Sequence, residues 1–294
     1  MANDGDDDRQ FVTVRGKQYH LSENHVLNLS NLDIASFEEI QELDRLGESI
    51  THLNLDRNKI KKIEGISSLI NLKQLILSEN RISCIENLEH LRSLEDLNLD
   101  HNQLTSIDGL EQLKELKILV LNNNQIHRIT GLQSNTRLEV LFLNNNKLQS
   151  IHGLEGCKNL FNLDISKNQL SNIDALALLP NLRVLDACYN NIKSLPPLDE
   201  FVKNYEELSG GHYIFANNQI DAITINKNII VYIIELQDNR ITEVPWLDKV
   251  WAQDREGDLF NFPVVDLSGN PLTPEAAARY EDFYQEARDG ERTA

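Results

Sequence analysis

Asn58, Asn80, Asn102, Asn124, Asn146, Asn168 and Asn190 recur at a constant interval of 22 residues. A carboxamide carries both a donor and an acceptor, so in this register it can satisfy backbone groups that a turn would otherwise bury unpaired. That chemistry holds a chain together and makes or breaks no covalent bond. The groups that could do bond-making chemistry are poorly arranged for it. Eight histidines are scattered without metal-ligand spacing, and His52 and His101, the two expected on the strand side, stand two repeats apart. Cys84, Cys157 and Cys188 are odd in number and far apart, which predicts neither a disulfide framework nor a zinc site. Cys157 stands where the repeat places a leucine and reads as a buried, inert thiol, and Cys84 falls on the side away from the strands. Cys188 points toward the strand face, but its sequence neighbours supply no histidine or base to lower its pKa. Gly210-Gly211 lacks the following Lys-Ser/Thr of a phosphate-cradling loop. No catalytic residue, metal or cofactor is expected.

Around each ladder asparagine runs one frame of apolar residues. One coil reads Leu91, Leu94, Leu97, Leu99, Asn102, Leu104, Ile107 and Leu110, and the next reads Leu113, Leu116, Leu119, Leu121, Asn124, Ile126, Ile129 and Leu132. A single such coil cannot bury its apolar edge, whereas stacked coils turn those positions into continuous core columns. Leu-x-Leu alternation predicts a short strand with leucines inward and the intervening residue outward. The pattern is that of a leucine-rich repeat. The expected fold is α/β: a leucine-rich-repeat solenoid, a right-handed horseshoe of β/α or β/3-10 coils, about eleven in number, with a parallel inner sheet and a cap at each end.

Beyond Asn190 the ladder continues through Asn218, Asn239 and Asn270 at intervals of 28, 21 and 31 residues. The extra residues fall at about Asp199–Gly211 and Asp248–Phe262, which read as insertions carrying Phe201, Tyr205, Trp246 and Trp251 in or near them. Leu27 and Leu29 mark an atypical first strand, with Leu32 where an asparagine would stand. Phe11–Val14 and Gln18–Leu21 predict a hairpin, and Phe37, Ile40, Leu43 and Leu46 an amphipathic helix, together an N-terminal lid. Thr273 and Pro274 open a C-terminal helix whose Ala277, Tyr280, Phe283, Tyr284 and Ala287 are expected to cover the last coil. The expected layout is an acidic tail at 1–9, an N-terminal cap with the first coil at 10–50, regular repeats at 51–198, irregular repeats at 199–272, and a cap helix and tail at 273–294.

A net charge of -18 lacks the basic stripe that nucleic acid requires. The same charge would steer basic partners inward or serve solubility alone. Met1–Gln10 carries four aspartates and no apolar core, unlike a secretion signal, and the apolar run near Ile229–Ile234 is too short to span a bilayer. A cytoplasmic or nuclear, monomeric protein away from membranes is the expectation.

The ladder Leu-x-x-Leu-x-Leu-x-x-Asn-x-Ile-x-x-Ile-x-x-Leu at 22 residues resembles the repeat subclass typified by the leucine-rich regulatory subunit of protein phosphatase 1. The resemblance runs from about Leu27 to Arg288 and includes Asn270-Pro271-Leu272 and Tyr280, similar to that family's cap motif. Axonemal dynein light chains, a spliceosomal A-prime subunit and bacterial internalin-type proteins look alike at this level. The resemblance implies a non-catalytic scaffold or regulator that grips a folded protein, such as a phosphatase 1 catalytic subunit or another protein with a basic patch. A microbial internalin-like effector or adhesin is the alternative, and an enzyme with an unrecognised site a third.

Core and turn positions are set by the frame, so a partner must be read from the outward strand positions. Ile118, Val120, Val140 and Phe142 form a two-by-two apolar cluster, with Asp164, Asp186, Tyr189 and Glu235 further along. Clustered apolar groups with an aromatic beside charge match the make-up of interface hot spots, although β-branched residues also suit strands for their own sake. Asp164 and Asp186 are expected side by side on neighbouring strands, their repulsion relieved either by Lys167 or by a partner's Arg or Lys.

Overall fold

The structure, a computed structural model, describes residues 10–202, 211–253, 259–260 and 264–290, in two compact units, 1–142 and 143–294. The acidic tail 1–9, the side chains of Trp251 and Ala287, residues 203–210 of the first insertion with Tyr205 and Gly210, and residues 254–258 and 261–262 of the second lie outside the described residues.

The first unit opens with β1 (Phe11–Val14) and β2 (Lys17–His20), paired antiparallel with Val14 opposite Lys17. Arg15 and Gly16 form the two-residue loop, both at positive φ (48° and 79°), as a hairpin turn of this length requires. Arg15 then fixes the hairpin to the first coil: its guanidinium donates to Leu32 O at 3.1 Å and Asp33 O at 2.7 Å and pairs with Glu39 at 2.8 Å. The helix expected across Phe37–Leu46 is absent. In its place stand a 3-10 turn at Phe37–Glu39, the short strand β4 (Ile40–Gln41) paired with β1, and a 3-10 turn at Leu43–Leu46. Phe37, Ile40, Leu43 and Leu46 are all buried as the periodicity demands, but Glu42 at φ 68° breaks the helical path between them.

Six parallel strands follow in chain order: β3 (Val26–Asn28), β5 (His52–Asn54), β6 (Gln74–Ile76), β7 (Asp96–Asn98), β8 (Ile118–Val120) and β9 (Val140–Phe142). The central leucines Leu27, Leu53, Leu75, Leu97, Leu119 and Leu141 are in register and fully buried or nearly so, so each core column is one repeat position seen along the stack.

The second unit carries β10 (Asn162–Asp164), β11 (Val184–Asp186), the one-turn helix α1 (Leu198–Phe201), β12 (Gly211–Ile214) and β13 (Ile229–Glu235). It then adds β14 (Val250–Gln253), β15 (Leu259–Phe260), β16 (Val264–Asp266) and the helix α2 (Pro274–Gly290). β10, β11, β12 and β13 are parallel neighbours, and the long β13 divides its far side: Ile229–Ile230 pair with β14 and Ile233–Glu235 with β16. Of the aromatics near the insertions, Phe201 is buried against Tyr213 and Phe215, with ring centroids 5.8 and 6.4 Å away, and Trp246 is buried too.

The α2 cap begins as expected, with Thr273 Oγ1 accepting the N–H of Ala276 at 3.2 Å. Its buried face is Ala276 and Phe283 with Tyr280 and Tyr284 half-buried; Ala277, expected on that face, is exposed one position round the helix. Tyr280 closes the last coil by donating to Val265 O at 2.9 Å and accepting from Leu267 N at 3.1 Å. Among the described residues no helix is long and apolar enough to cross a membrane.

The asparagine ladder does what its chemistry suggests. Asn58 Oδ1 accepts from Leu32 N and Ile34 N at 3.1 and 2.9 Å, while its amide donates to Leu29 O and Leu55 O at 2.9 Å each. Asn80, Asn102, Asn124, Asn168 and Asn190 repeat the pattern, each accepting an N–H from the coil before, and Asn146 donates to Leu143 O at 3.1 Å. Asn218, Asn239 and Asn270 extend it through the irregular coils. With both units built this way, the fold is a leucine-rich-repeat solenoid, and the repeats continue through the change of spacing.

Candidate protein-binding face

Three-residue strands bury only their central residue, so the residues flanking it project from the sheet. In the first unit these outward positions are polar at Asn28, His52, Asn54, Gln74, Asp96 and Asn98. Val26 and Ile76 are single apolar positions among them, and the other apolar residues form the quartet, in which Ile118 stands opposite Val140 and Val120 opposite Phe142. Ile118 is 37% exposed and the other three are partly exposed. Beside them, one residue before each strand, Glu95 sits between Lys73 at 3.9 Å and Lys117 at 2.6 Å. The Lys117 hydrogen bond holds the Glu95 carboxyl below its ordinary range, and Glu95 raises Lys117 in return. The quartet is thus an apolar island whose rim is self-neutralised charge.

Asp164, Asp186, Tyr189 and Glu235 belong to the second unit, where Asp164 is directly opposite Asp186. Burial pushes the Asp164 carboxyl upward, and so does the charge of Asp186; hydrogen bonds from Ser166 Oγ at 2.6 Å and Ser166 N at 2.9 Å pull the other way, as does the charge of Lys167. Asp186 Oδ1 accepts from Cys188 N at 3.0 Å.

The strand-end position therefore has a structural role that the sequence reading missed. Asn28, Asn54, Asn98, Asp164, Asp186 and Asp266 each accept the N–H two residues on, at 2.9–3.0 Å, which turns the chain out of its strand. The signal was present: Asn and Asp recur in that column, and these are the side chains that make such a turn. One carboxylate oxygen of each aspartate is thus engaged in the fold.

Tyr189 differs from these. It occupies the turn position just before a ladder asparagine, where every coil takes a positive φ; Arg57, Glu79, His101, Lys167 and Asp238 fill it at 50–54°, Asn123, Asn145 and Asn217 at 54–57° and Gly269 at 73°. Asparagine and glycine tolerate the left-handed conformation with least strain, and Tyr189 carries the one phenol ring among these residues. Tyr189 takes φ 54° with 55% of its surface exposed. A bulky aromatic is held open to solvent where asparagine would sit with less strain.

None of the three cysteines is in a disulfide: Cys84 is exposed, Cys157 buried and Cys188 half-buried. Burial pushes Cys157 up to about 11 and, with Asp186 beside it, Cys188 up to about 12, so neither is an activated thiolate at neutral pH. Among the described residues no group of three or more His, Cys, Asp or Glu is placed to hold a metal ion.

Family models describing leucine-rich repeats match residues 48–104 and, as paired copies, 92–134 and 136–178, so the chain carries leucine-rich repeats. No curated protein matches the chain. Among solved structures it is similar to an internalin of Listeria monocytogenes, at 22% identity over 86% of this chain and 76% of that one, with a TM-score of 0.63. A leucine-rich-repeat protein of Leptospira interrogans aligns at 23% identity over 82% and 72%, with a TM-score of 0.62. A second Listeria internalin, C2, reaches 28% identity over 60% of this chain and 76% of its own, with a TM-score of 0.55. These likenesses bear on the fold.

Proposed function

We propose that this chain is a non-catalytic scaffold that binds a folded protein on the exposed side of its sheet, with Ile118, Val120, Val140 and Phe142 at the centre of the contact on the first unit. The observation that carries this reading is the in-register apolar quartet on two adjacent strands, one of them bearing the aromatic Phe142, next to the polar outward pair Asp96 and Asn98 of β7. Such a cluster, with an aromatic and a charged rim, is where binding energy concentrates. The sheet is built before any partner arrives, so little ordering entropy opposes association. Its acidity favours a partner with a basic patch.

A phosphatase 1 catalytic subunit is the candidate partner that the 22-residue repeat resemblance names. The likeness to two Listeria internalins favours a second reading, a microbial effector or adhesin. Three cysteines outside any disulfide support placement in a reducing compartment, the cytoplasm or nucleus, which fractionation of the source cell would test. The discriminating experiment is affinity purification with quantitative mass spectrometry, using the wild type and a Val120→Ser/Phe142→Ser variant. A protein enriched by the wild type and lost with the variant supports the reading and identifies the partner; equal recovery by both refutes it.

A further inference from the structure

The sheet face of the second unit carries two parallel rows of unlike chemistry. At the strand starts, Val184 is in register with His212, then Ile233, then Val264, with Val184 and Val264 38% and 52% exposed. Two residues further along the strands, Asp164, Asp186, Ile214, Glu235 and Asp266 lie in register. With strands ~4.8 Å apart, the four carboxylates make two pairs either side of Ile214, their centres about 14 Å apart.

A break in register adds an aromatic. Gly211 pairs with Val231 but His212 with Ile233, so Tyr232 has no partner across β12 and is 48% exposed. Bulges of this kind re-aim a side chain and concentrate beside functional sites.

Among the described residues the acidic row is only partly compensated. His212 Nε2 lies 3.3 Å from Glu235, and Gln237 Nε2 donates to Asp266 at 2.8 Å. Lys167 acts on Asp164 through its field alone. Among the described residues no Lys or Arg comes within ion-pair distance of any of the four carboxylates.

We infer that this face docks a protein segment that is both basic and apolar, lying across the strands. Its basic side chains fall in two groups about 14 Å apart, roughly four residues in an extended chain at ~3.3 Å per residue. Its apolar side chains rest on Val184, Ile233, Val264 and Tyr232. The inference rests on the protein-binding reading but uses a surface of the second unit alone.

The test is selection from a random peptide display library on the immobilised full chain, followed by binding measurements on the synthetic peptides recovered. The expected peptides carry Arg or Lys at about a four-residue spacing with apolar residues between. Their affinity falls with added salt and drops at least tenfold for Asp186→Asn/Glu235→Gln, which preserves shape and the strand-end hydrogen bond. It also drops for Val264→Asp, a change at an exposed site, and is unchanged for Ile76→Ala, an outward first-unit position outside the proposed contact. No enrichment, enrichment of acidic or uncharged peptides, or indifference to these second-unit variants overturns the inference. Loss of binding with Phe142→Ala alone also overturns it, by moving the peptide to the first unit, and leaves the protein-binding reading standing.

Discussion

Asn124 Oδ1 accepts the backbone N–H of Leu104, one coil earlier, at 2.9 Å, while its amide donates to Leu99 O and Leu121 O at 3.0 and 3.1 Å. One buried side chain thus ties together three backbone segments that face no water. Replacing it with alanine strands a donor and two acceptors, each worth about 1–3 kcal/mol when left unpaired in the interior, less whatever relaxation recovers. Asn124→Ala is expected to destabilise by roughly 3 kcal/mol, read as a lower urea midpoint without loss of secondary structure in the native baseline. A change below about 0.5 kcal/mol would mean that water replaces the carboxamide.

Tyr189→Asn should move stability and binding in opposite directions. A tyrosine in the left-handed region carries a penalty of about 1 kcal/mol that asparagine largely escapes, so thermal unfolding should shift upward by a few degrees. Partner affinity should fall. A lower melting temperature would instead assign the exposed ring a structural role.

The repeat was legible because its signal is periodic: each of Leu97, Leu119 and Leu141 is buried for the same reason, and the asparagines share one hydrogen-bond pattern. Where periodicity ends, legibility ends with it. Phe37, Ile40, Leu43 and Leu46 have a helical spacing and are all buried, yet β4 pairs with β1 and Glu42 turns left-handed between them, a tertiary pairing that overrides local pattern. The outward columns were assigned to the correct strands and faces, since a strand's alternation settles that. Their roles were less visible, because Asp186 serves the turn through Cys188 N before it can serve a partner, and the bulge at Tyr232 depends on register that no single strand reveals.

Tyr280→Phe removes one hydroxyl that caps both Val265 O and Leu267 N beside the terminal strand. A cost of about 1–2 kcal/mol is expected, with local opening there detectable as faster amide exchange at Leu267. Unchanged exchange would show that packing of Phe283 suffices.

Thiol alkylation should be ordered by exposure. Cys84 is exposed, whereas Cys157 is buried and Cys188 is half-buried with its pKa pushed up to about 12. Because a raised thiol pKa leaves less thiolate, iodoacetamide at pH 8 should label Cys84 first and the other two only on unfolding, as read by peptide mass spectrometry. Rapid native labelling of Cys188 would contradict its hydrogen-bonded placement beside Asp186.

The quartet is the centre of the account. Val120 and Phe142 are directly opposite on adjacent strands, part-exposed, and neither is a core residue of the repeat frame. The most direct measurement is the dissociation constant of the purified partner for Phe142→Ala against wild type, alongside thermal melts of both. Loss of a central aromatic anchor predicts at least a tenfold weaker complex, about 1.4 kcal/mol or more, with the melting temperature nearly unchanged. An unchanged dissociation constant with an intact fold would contradict the assignment of this face as the binding site.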